Sequence, residues 1–563
     1  MNEKFDPLTS EPQIQSFWET QSIREKVVAQ NENGEKFFFL QGPPYTSGKL
    51  HLGHAWNNCL KDVVLRYKRM QGFNVWDRGG FDMHGLPTES KVMAKNDLQL
   101  KPDIIKFGEA KFSDECKQFC LDMMDAMNLD LKRLGVSMDH DNAYKPIDND
   151  YMQGIWKLIK KADEKGRLYR GKRTMGWDPL YATALAKHEM EYKEFTHDSV
   201  FVKFKLVDTE NDYLVIWTTT PWTLPFNLAV MVNPEVEYVK SKVTLKDDSV
   251  ENWIVAKPLV GPLLGSVANL VHEPVAEFKG EALKGRKYEH FWVNSIPALK
   301  TACEGLENAH TVLMSAEHVD TSSGSGLVHC APGCGPEDYE VGHKNGLIPF
   351  NDIDEHGFFP DTFGELSGLR AVKDDPKIVR MLKEQGILVA KSRITHEYPH
   401  GERSQEPIIF RATEQWFFKI EDLKAQMVAS NEKINWVPEK SKNAFHSWLD
   451  NLRDNSITKQ RFWGTPAPIW VNVLDKEDYI VVDSIKELTE LGATVPENLH
   501  KPYIDEVTFT RDGKTYKRIP DVLDVWIDAG SASWNCLNTL KTEEEFNEWF
   551  PADFILEGKD QIR

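Results

Sequence analysis

The sequence predicts an α/β fold in which a parallel-sheet domain is interrupted by a β-rich insertion. Strand-like, turn-like and helix-like segments alternate between residues 36 and 85, which is typical of a parallel βαβ unit. Near residue 195 the pattern changes to alternating, β-branched runs, and helical periodicity returns near residue 395. We therefore expect a first half of the α/β domain at 1–195, an inserted domain at 196–395 and a second half at 396–563.

Composition limits the class of protein. The 563 residues are 41% hydrophobic and 28% charged, which is ordinary for a globular chain of several domains. The longest apolar runs, such as residues 37–40, are too short to cross a membrane, and the N-terminus lacks a signal-peptide pattern. We expect a cytoplasmic protein with no membrane partner. The net charge of −19 gives no broad basic footprint for nucleic acid, although a local basic patch is compatible with RNA binding.

Cysteine spacing favours ordinary thiols. The chain has seven cysteines, too few for a disulfide framework in this length. Cys116 and Cys120 are four residues apart, and so are Cys330 and Cys334. Zinc sites more often use Cys-x-x-Cys pairs with further ligands.

The first elements can be placed in order. Residues 36–44, "KFFFLQGPP", predict a buried strand that ends at a Gly-Pro-Pro turn. Residues 53–72 have the apolar spacing of a helix, and Gly72 is a plausible stop. Residues 73–85, "FNVWDRGGFDMHG", predict a strand that runs into a glycine-rich loop. Because ligands bind beyond the carboxyl ends of parallel strands, both loops are candidate site segments.

The same kinds of pattern predict strands in the insertion and helices around its C-terminal boundary. Strands are predicted within 198–208, 212–220 and 236–245. Helices are predicted at 375–386 and 421–431, on either side of the second junction.

Two histidines, in "KLHLGH", follow the first turn. Taken alone, His51 and His54 allow three interpretations: a packed, hydrogen-bonded pair, a metal pair, or a phosphate site. No third metal ligand of the right kind lies close by in the sequence. A helix N-terminus offers free N–H groups and a positive dipole end to a phosphate, and Gly53 permits close approach of a nucleotide.

Seven motifs in order identify the chain as similar to a known family. They are "PPYTSGKLHLGH" (43–54), "GFDMHGLPTE" (80–89), "WTTTPWTLPFN" (217–227), "GLVHCAPGCGPEDY" (326–339), "RATEQWF" (411–417), "QRFWGTPAP" (460–468) and "DVWIDAGSAS" (524–533). Together they resemble class I aminoacyl-tRNA synthetases, and among these the isoleucine-specific enzymes of archaeal type. The resemblance extends from about residue 5 to Arg563.

The resemblance implies a Rossmann-like catalytic domain that activates isoleucine with ATP and Mg²⁺ and transfers it to tRNA(Ile). His51 and His54 match the signature histidines that contact the ATP phosphates, so catalysis is positioning and charge stabilisation. The other matched positions are, for ATP, Gly53, Glu557 and Gly558, and, for the amino acid, Gly42, Pro43, Asp82, Trp526, Asp560 and Gln561. Asp82 would pair with the substrate ammonium.

The insertion resembles the family's editing domain, which hydrolyses valine wrongly attached to tRNA(Ile). Such a domain is needed because one methylene supplies only about 1–3 kcal/mol of discrimination, a limit for which isoleucyl enzymes are themselves the standard example. The matched positions are Thr218, Thr219, Thr220, Asn227, His329 and Asp338. Asp338 would hold the ammonium, while the threonines and His329 would position the ester and a water. Without the family, a strand face and a core histidine would be the simpler interpretations.

The chain departs from the family pattern at several places. Many relatives carry two Cys-x-x-Cys pairs beside the insertion, where this chain has Asp178 with Tyr181 and Gly401 with Ser404. We therefore predict no structural zinc. Asn455 and Lys459 stand where Trp and Arg are usual, and Cys334 stands where a His is common in bacterial relatives.

The last departure concerns the C-terminal end. The sequence ends at "LEGKDQIR", before the segment in which the family carries a Lys-Met-Ser-Lys-Ser loop and an anticodon-binding domain. The expectation is a truncated chain, or one half of a split enzyme whose separate second half carries that loop, with weak or no activation by itself. The alternatives are a valine-specific enzyme, an editing-only hydrolase and a non-catalytic RNA-binding or assembly half.

Overall fold

The computed structural model describes residues 6–186 and 189–562, which form two compact units. The discontinuous unit comprises the chain up to Arg170 and from Gln415 onward, and the inserted unit comprises Gly171–Glu414. The predicted insertion, 196–395, lies inside the inserted unit, which begins before residue 196 and ends after residue 395. Within the described residues, no helix is both long and apolar enough to cross a bilayer.

The elements up to residue 170 are mainly helical. They are helices α1 (Pro7–Thr20), α2 (Ile23–Gln30), α3 (Leu52–Met70), α4 (Leu86–Lys95), α5 (Lys101–Phe107), α6 (Glu109–Leu134) and α7 (Asn149–Glu164), and strands β1 (Lys36–Leu40), β2 (Asn74–Trp76), β3 (Arg78–Gly80), β4 (Asp139–Tyr144) and β5 (Leu168–Asp178).

The elements that follow up to residue 418 are mainly strands. They are strands β6 (Thr183–Ala184), β7 (Met190–Leu206), β8 (Asp212–Thr218), β9 (Ala229–Val232), β10 (Glu237–Thr244), β11 (Val250–Ala256), β12 (Val271–Lys279), β13 (Tyr288–Glu289), β14 (Thr311–Met314), β15 (Leu327–Cys330), β16 (Leu388–Gly401) and β17 (Ile409–Phe418), and helices α8 (Pro297–Cys303), α9 (Pro336–Lys344) and α10 (Asp375–Glu384).

The remaining elements complete the discontinuous unit. They are helices α11 (Lys424–Asn431), α12 (Lys440–Asp450), α13 (Ile485–Glu490), α14 (Val525–Asn535) and α15 (Glu543–Trp549), and strands β18 (Asn455–Ser456), β19 (Thr458–Lys459), β20 (Ile469–Asn472), β21 (Asp475–Val481), β22 (Thr508–Arg511), β23 (Lys514–Arg518), β24 (Val522–Leu523) and β25 (Phe554–Ile555).

A parallel sheet organises the discontinuous unit. Its strand order is β2-β1-β25, with β1 parallel to both neighbours. The run of four aromatic and aliphatic residues in β1 is buried, as expected for the central strand of a parallel sheet. Helix α3 connects β1 to β2 and ends just before Gly72, whose φ of +88° suits a glycine. The predicted fold class, a parallel α/β domain with a β-rich insertion, is confirmed.

The inserted unit is built on a ten-stranded mixed sheet. Its main path is β12-β10-β11-β8-β15-β9-β14, and β7 pairs with β8, β13 and β16. The strands predicted within 198–208, 212–220 and 236–245 correspond to parts of β7, β8 and β10. One large cluster of buried apolar side chains packs this sheet against its loops and helices. The ends of β8 and β15 therefore rest on a rigid core.

Candidate functional site

Helix α3 begins at a pair of histidines that cap its first turn. The Nδ1 of His51 accepts hydrogen bonds from the backbone N–H groups of Gly53 (3.1 Å) and His54 (3.4 Å). The Nδ1 of His54 accepts in return from the N–H of His51 at 3.3 Å, and the two rings stack with centroids 3.8 Å apart. The pair forms a reciprocal cap at the positive end of the helix dipole.

This cap determines which ring nitrogen carries the proton when an imidazole of the pair is neutral. A ring whose Nδ1 accepts a hydrogen bond carries its single proton on Nε2. Burial, followed by the neighbouring His51 and Lys61, lowers the pKa of His54, so this ring is neutral at pH 7. Each Nε2–H lies on the side of its ring away from the backbone and can donate to an anion beyond the helix end. The arrangement suits phosphate oxygens better than a metal ion, which needs an unprotonated nitrogen.

An ion pair with a buried lysine links α3 to the segment after β25. Lys61 Nζ lies 2.9 Å from Glu557 Oε1, and the Lys61 side chain is only 1% exposed. Burial lowers the pKa of Lys61, and the Glu557 carboxylate partly offsets this effect. Gly42 lies against the same carboxylate, because a Cβ at residue 42 would overlap it. Lys61 was not found from the sequence, because its partner Glu557 lies far away in the chain.

The predicted ammonium ligand, Asp82, is buried between two backbone segments. Its N–H donates to the carbonyl of Pro44, and its carbonyl accepts from the N–H of Thr46, both at 2.9 Å. Within the described residues, the Asp82 Oδ1 is buried and has no hydrogen-bond partner. Burial and then the Asp528 carboxylate raise the pKa of Asp82 well above its usual range. A buried carboxyl group of this kind is completed by a cation that donates hydrogen bonds.

Three segments of the discontinuous unit converge at Gly85. This residue has φ of +92°, and a Cβ there would lie 3.1 Å from the Tyr45 hydroxyl and 3.4 Å from Val525 Cβ. Glycine is favoured at such a close approach because it tolerates positive φ and carries no Cβ. The loop with Asp82, the segment 41–46 and the start of α14 therefore meet at one place.

Trp526 lies at the start of α14 and is 39% exposed. Asp524 caps the helix, because its Oδ1 accepts from the Trp526 N–H at 3.0 Å. The other oxygen of Asp524 lies 3.2 Å from Nζ of Lys459, and both side chains are buried. Lys459 therefore supports the cap that presents Trp526, which gives this departure from the family pattern a structural role. Asn455, the other departure, is exposed on β18.

A buried polar network, also missed from the sequence, joins the Asp82 loop to α14. His84 Nδ1 lies 2.7 Å from Asp528 Oδ2, and Thr465 donates to Asp528 Oδ1 at 2.8 Å. His84 Nε2 lies 2.9 Å from Nε2 of His500, whose pKa burial and then His84 lower well below the usual value. His84 and Asp528 both lie in the motifs quoted above, which was the one signal in the sequence. Nothing in those motifs indicates that the two side chains are in contact.

The remaining residues predicted for this site occupy its edges. Pro43 is half-buried beside Gly42. Gly558 precedes a short 3₁₀ helix, Lys559–Gln561, and its carbonyl accepts from the Gln561 N–H at 3.0 Å. The side chain of Asp560 lies outside the described part of the structure.

In the inserted unit, threonine hydroxyls and a histidine form a hydrogen-bonded row. Strand β8 ends at Thr218, and β15, which carries His329, is its parallel neighbour. The Oγ1 atoms of Thr218 and Thr220 lie 3.3 Å apart, and Thr220 Oγ1 lies 3.3 Å from Thr223 Oγ1. Thr223 Oγ1 then lies 3.0 Å from His329 Nε2. Thr219 lies half-buried between its neighbours.

Thr223 is the member of this row that sequence analysis missed. It lies in the 3₁₀ helix Pro221–Phe226, three residues after Thr220, so both hydroxyls fall on one side. Burial lowers the pKa of His329 to about 4, so the imidazole is neutral at pH 7. Its Nδ1 is buried and has no hydrogen-bond partner within the described residues. The row therefore ends on a neutral imidazole whose Nδ1 can form a further hydrogen bond.

Asp338 and Asn227 differ from the row in their surroundings. The carboxylate of Asp338, on α9, accepts from the Ala331 N–H at 2.9 Å, and burial raises its pKa to about 7. Asn227 is fully buried: its amide donates to the carbonyl of Ala229 at 2.8 Å and accepts from the Tyr288 hydroxyl. The structure thus places Asn227 beneath the site, as support for the turn after the threonines, and does not bring it into the hydroxyl row.

The four positions that match the family's cysteines converge within the inserted unit. A Cβ at Gly401 would lie 2.6 Å from Asp178 Oδ2 and overlap Ser404 Oγ. Asp178 Oδ1 accepts from the N–H groups of Leu180 (2.8 Å) and Tyr181 (3.2 Å), which closes the first loop by itself. Among the described residues, no group of three or more His, Cys, Asp or Glu side chains is arranged to hold a metal ion.

Known proteins are similar to this chain over nearly its whole length. The family model described as tRNA synthetases class I (I, L, M and V) matches residues 13–563. The isoleucine–tRNA ligases of Thermococcus kodakarensis and Pyrococcus furiosus are each 43% identical, over 99% of this chain and 55% and 54% of their own lengths. The chain spans about half the length of the curated relatives it matches.

Several solved structures align over most of the chain. Mycobacterium tuberculosis methionyl-tRNA synthetase in complex with methionyl-adenylate covers 94% of this chain and 52% of its own, with a TM-score of 0.38 and 12% identity. The family match covers nearly the whole chain, and the curated relatives share more than two-fifths of its residues. The chain therefore belongs to the class I tRNA synthetases of the isoleucine, leucine, methionine and valine group.

Proposed function

We propose that this chain is the activating and editing portion of an isoleucine–tRNA ligase. Its substrates are isoleucine, ATP with Mg²⁺, and tRNA(Ile), and it works in the cytoplasm. The observation that carries the proposal is the buried Asp82 carboxyl group, unpartnered at Oδ1 within the described residues, in a loop on which α14 and the segment after β1 converge. The identity of the curated relatives favours isoleucine as the amino acid.

Activation needs positioning and charge stabilisation. A carboxylate oxygen of isoleucine attacks the α-phosphorus of ATP, and pyrophosphate leaves with the electron pair of the broken P–O bond. Asp82 holds the ammonium, and the Nε2–H groups of His51 and His54 donate to phosphate oxygens as negative charge shifts toward pyrophosphate. Glu557, held by Lys61, borders the same space. A hydroxyl of the terminal tRNA ribose then attacks the acyl carbon and displaces AMP.

Selection of the side chain falls to apolar contacts. Trp526, together with Gly42 and Pro43, would enclose an aliphatic side chain of four carbons. Valine lacks one methylene and fits the same pocket at a cost of only about 1–3 kcal/mol. Valine is the second candidate amino acid.

Editing removes that error by hydrolysis of Val-tRNA(Ile). Water adds to the ester carbonyl, the tRNA ribose oxygen leaves and takes up a proton, and valine is released. The hydroxyl row ending at His329 would orient the ester and the water, and Asp338 would pair with the ammonium. Because these residues all lie between 171 and 414, this reaction does not depend on the discontinuous unit's pocket.

The family resemblance suggests a further partner. A separate polypeptide carrying the lysine-rich loop and the anticodon-binding domain would supply the contacts on the opposite side of ATP. The chain is expected to bind an isoleucyl-adenylate analogue.

Calorimetric titration with the non-hydrolysable analogue isoleucyl-sulfamoyl-adenosine tests the proposal. The parent chain should bind it, Asp82→Asn should lose most of the affinity, and the valyl analogue should bind more weakly. Absence of binding to the parent chain, or equal binding by Asp82→Asn, would overturn the assignment.

A further inference from the structure

The inserted unit contains a cavity of about 700 Å³. It is lined by α10, by the start of β16, by the turn between β10 and β11, by the segment 267–270 and by side chains of β7 and β11. None of the threonines of the hydroxyl row lines it, and neither do His329 and Asp338, so the cavity is separate from the proposed hydrolytic site. Its volume lies within the roughly 300–1,000 Å³ that is typical of small-molecule sites.

The charged residues that line the cavity are all basic. Sixteen residues form the lining, and none of them is acidic. The five basic ones are Lys203, Lys246, Arg380, Lys383 and Lys391. Since the whole chain has 87 acidic and 68 basic residues, five charged residues taken at random would include more acids than bases. The cavity is therefore a local positive region on an acidic protein.

Two of these cations already have a counter-charge. Lys203 Nζ lies 2.7 Å from Glu251 Oε1, and Lys391 Nζ lies 2.7 Å from Asp198 Oδ2. Because the opposite charges of each pair nearly cancel at a distance, these two lysines add little attraction for an anion.

The other three cations have no such partner. Lys246, Arg380 and Lys383 are exposed and form no ion pair within the described residues. Arg380 and Lys383 are three positions apart on α10 and therefore lie on one side of the helix, whereas Lys246 reaches the cavity from the β10–β11 turn. Ammonium and guanidinium groups that converge on one space form charge-assisted hydrogen bonds with phosphate oxygens. The three uncompensated charges therefore favour an anion with several such oxygens.

Most of the remaining lining is apolar and includes Trp253, Leu270, Val379 and Leu388. Trp253 is 2% exposed, and its indole N–H donates to Glu251 Oε2 at 2.7 Å. The polar edge of this ring already has its hydrogen bond, so the ring offers a ligand only apolar contact. A phosphate ion alone would leave the apolar contacts unused. The lining therefore suits an anion that also carries an apolar or flat aromatic body.

We propose that the cavity binds a small organic phosphate of nucleotide size. Its phosphate groups lie among Lys246, Arg380 and Lys383, and its body lies against Trp253 and the aliphatic side chains. A long nucleic acid strand would extend past the cavity across a protein with a net charge of −19, which disfavours it, whereas a small anion meets only the local positive region. The proposal does not depend on the proposed function, because none of the lining residues takes part in activation or editing.

Titration with ATP in buffer free of divalent cations tests the proposal. The full 563-residue chain is first saturated with isoleucyl-sulfamoyl-adenosine, which fills the proposed activation site, so that ATP binding reports a second site. We expect one ATP to bind. Inorganic triphosphate should bind more weakly because it lacks a body, and adenosine because it lacks the charge. No binding of ATP, or binding of triphosphate or adenosine as tight as that of ATP, would overturn the proposal.

Matched double variants locate the site. Arg380→Gln with Lys383→Gln removes two charges from the cavity and should weaken ATP binding at least about tenfold, because two charge-assisted contacts with phosphate are lost. Lys242→Gln with Lys377→Gln removes the same charge from exposed positions on β10 and α10 that do not line the cavity, and should leave the affinity unchanged. Since all four residues are exposed, both double variants should unfold at about the parent temperature. An equal loss of affinity in the two double variants would show only a general charge effect and refute the site.

Chemical labelling places the bound ATP directly. Acetic anhydride in limiting amount should acetylate Lys246 and Lys383 more slowly when ATP is present, whereas Lys242 and Lys377 should react equally with and without it. Absence of this protection, or displacement of ATP by a single-stranded RNA oligonucleotide at lower concentration, would overturn the proposal. A chain that binds no isoleucyl-adenylate analogue would refute the proposed function, and the lysine protection would still decide the role of the cavity.

Discussion

His84 Nδ1 lies 2.7 Å from Asp528 Oδ2 inside the discontinuous unit, and both side chains are almost fully buried. His84 belongs to the loop that carries Asp82, and Asp528 belongs to the helix that carries Trp526. The contact therefore connects the group that would hold the ammonium with the ring that would enclose the side chain. The other ring nitrogen of His84, Nε2, lies 2.9 Å from Nε2 of His500, so the imidazole of His84 has a buried partner at both nitrogens.

Breaking this contact should damage stability and ligand binding together. Asp528→Asn and His84→Gln each leave a buried polar partner unsatisfied, so each should lower the free energy of unfolding by about 2–4 kcal/mol. Each should also weaken binding of the isoleucyl-adenylate analogue. Because the two residues share one interaction, the double variant should lose at least about 1 kcal/mol less than the sum of the single losses. Urea unfolding and calorimetry measure both effects, with exposed Asp125→Asn as control; additive losses would show that the contact is incidental.

Asp82 should make amino-acid binding pH-dependent. Burial, and then the Asp528 carboxylate, raises the pKa of Asp82 and so favours its protonated form in the ligand-free chain, whereas a bound ammonium favours the ionised form. Affinity for isoleucine should therefore rise with pH through the pKa of the free pocket, with proton release in buffers of different ionisation enthalpy. Asp82→Asn should abolish both the binding and its pH dependence. Binding whose affinity is flat with pH in the parent chain would contradict this role.

The raised pKa of Asp82 should also make the stability of the fold depend on pH. A carboxyl group whose pKa is higher in the folded than in the unfolded chain stabilises the fold fully below about pH 4, and this contribution is lost as pH rises through the folded pKa. Asp82→Asn, which cannot ionise, should thus become more stable relative to the parent as pH rises from 4 to 8. Thermal unfolding of the two ligand-free proteins across this range checks the sign.

Gly42→Ala should displace the Glu557 carboxylate from Lys61. A methyl group at Gly42 occupies the position of that carboxylate, so Gly42→Ala must push Glu557 away from Lys61 and leave a buried lysine without its partner. We expect a loss of about 2–4 kcal/mol in unfolding free energy and a large loss of analogue binding. Gly48→Ala, in the same segment, is the matched control, because a Cβ there meets nothing within 4 Å. Equal behaviour of the two variants would refute the contact.

Strong periodicity in the sequence predicted helices and strands, and strong motifs predicted site residues. Contacts between residues that are distant in the chain could not be predicted. Residues 53–72 have a helical period, and α3 spans Leu52–Met70, but the period could not reveal that Leu60, Val63, Tyr67 and Met70 face outward. A pattern identifies an apolar side, whereas the neighbour that covers it is set by the whole fold.

The same limit applies to the candidate site. The motifs identified His51 and Asp82, whose positions are local to two loops. Lys61 and Thr465 were missed because their partners, Glu557 and Asp528, are distant in the chain, and only the fold brings them within 3 Å. Residues linked by long-range contacts leave no spacing signature in a single sequence.

The converged positions Asp178, Tyr181, Gly401 and Ser404 should be independent of metal. Asp178 Oδ1 accepts the two backbone N–H groups that follow it, so the loop is closed by an aspartate cap. Treatment with a chelator should leave the unfolding temperature unchanged, and elemental analysis should find no stoichiometric zinc. Asp178→Ala should lower the unfolding free energy by about 1–2 kcal/mol, and Asp178→Asn, which keeps an accepting oxygen, should lose less. A drop in unfolding temperature with chelator would overturn the prediction of no structural zinc.

Thr223 should be needed for hydrolysis of Val-tRNA(Ile), because it is the hydroxyl that joins the threonine row to His329 at 3.0 Å. Thr223→Val keeps the size of the side chain but removes this link, and should slow deacylation at least about tenfold. Thr223→Ser keeps the hydroxyl and should restore most of the rate, which a purely structural role for the methyl group would not do. Thr244→Val, at the end of β10, is a matched control within the inserted unit. Since burial holds the pKa of His329 near 4, its protonation should not slow the reaction between pH 8 and pH 6. A Thr223→Val chain that deacylates at the parent rate would remove His329 and the row from the proposed hydrolytic site.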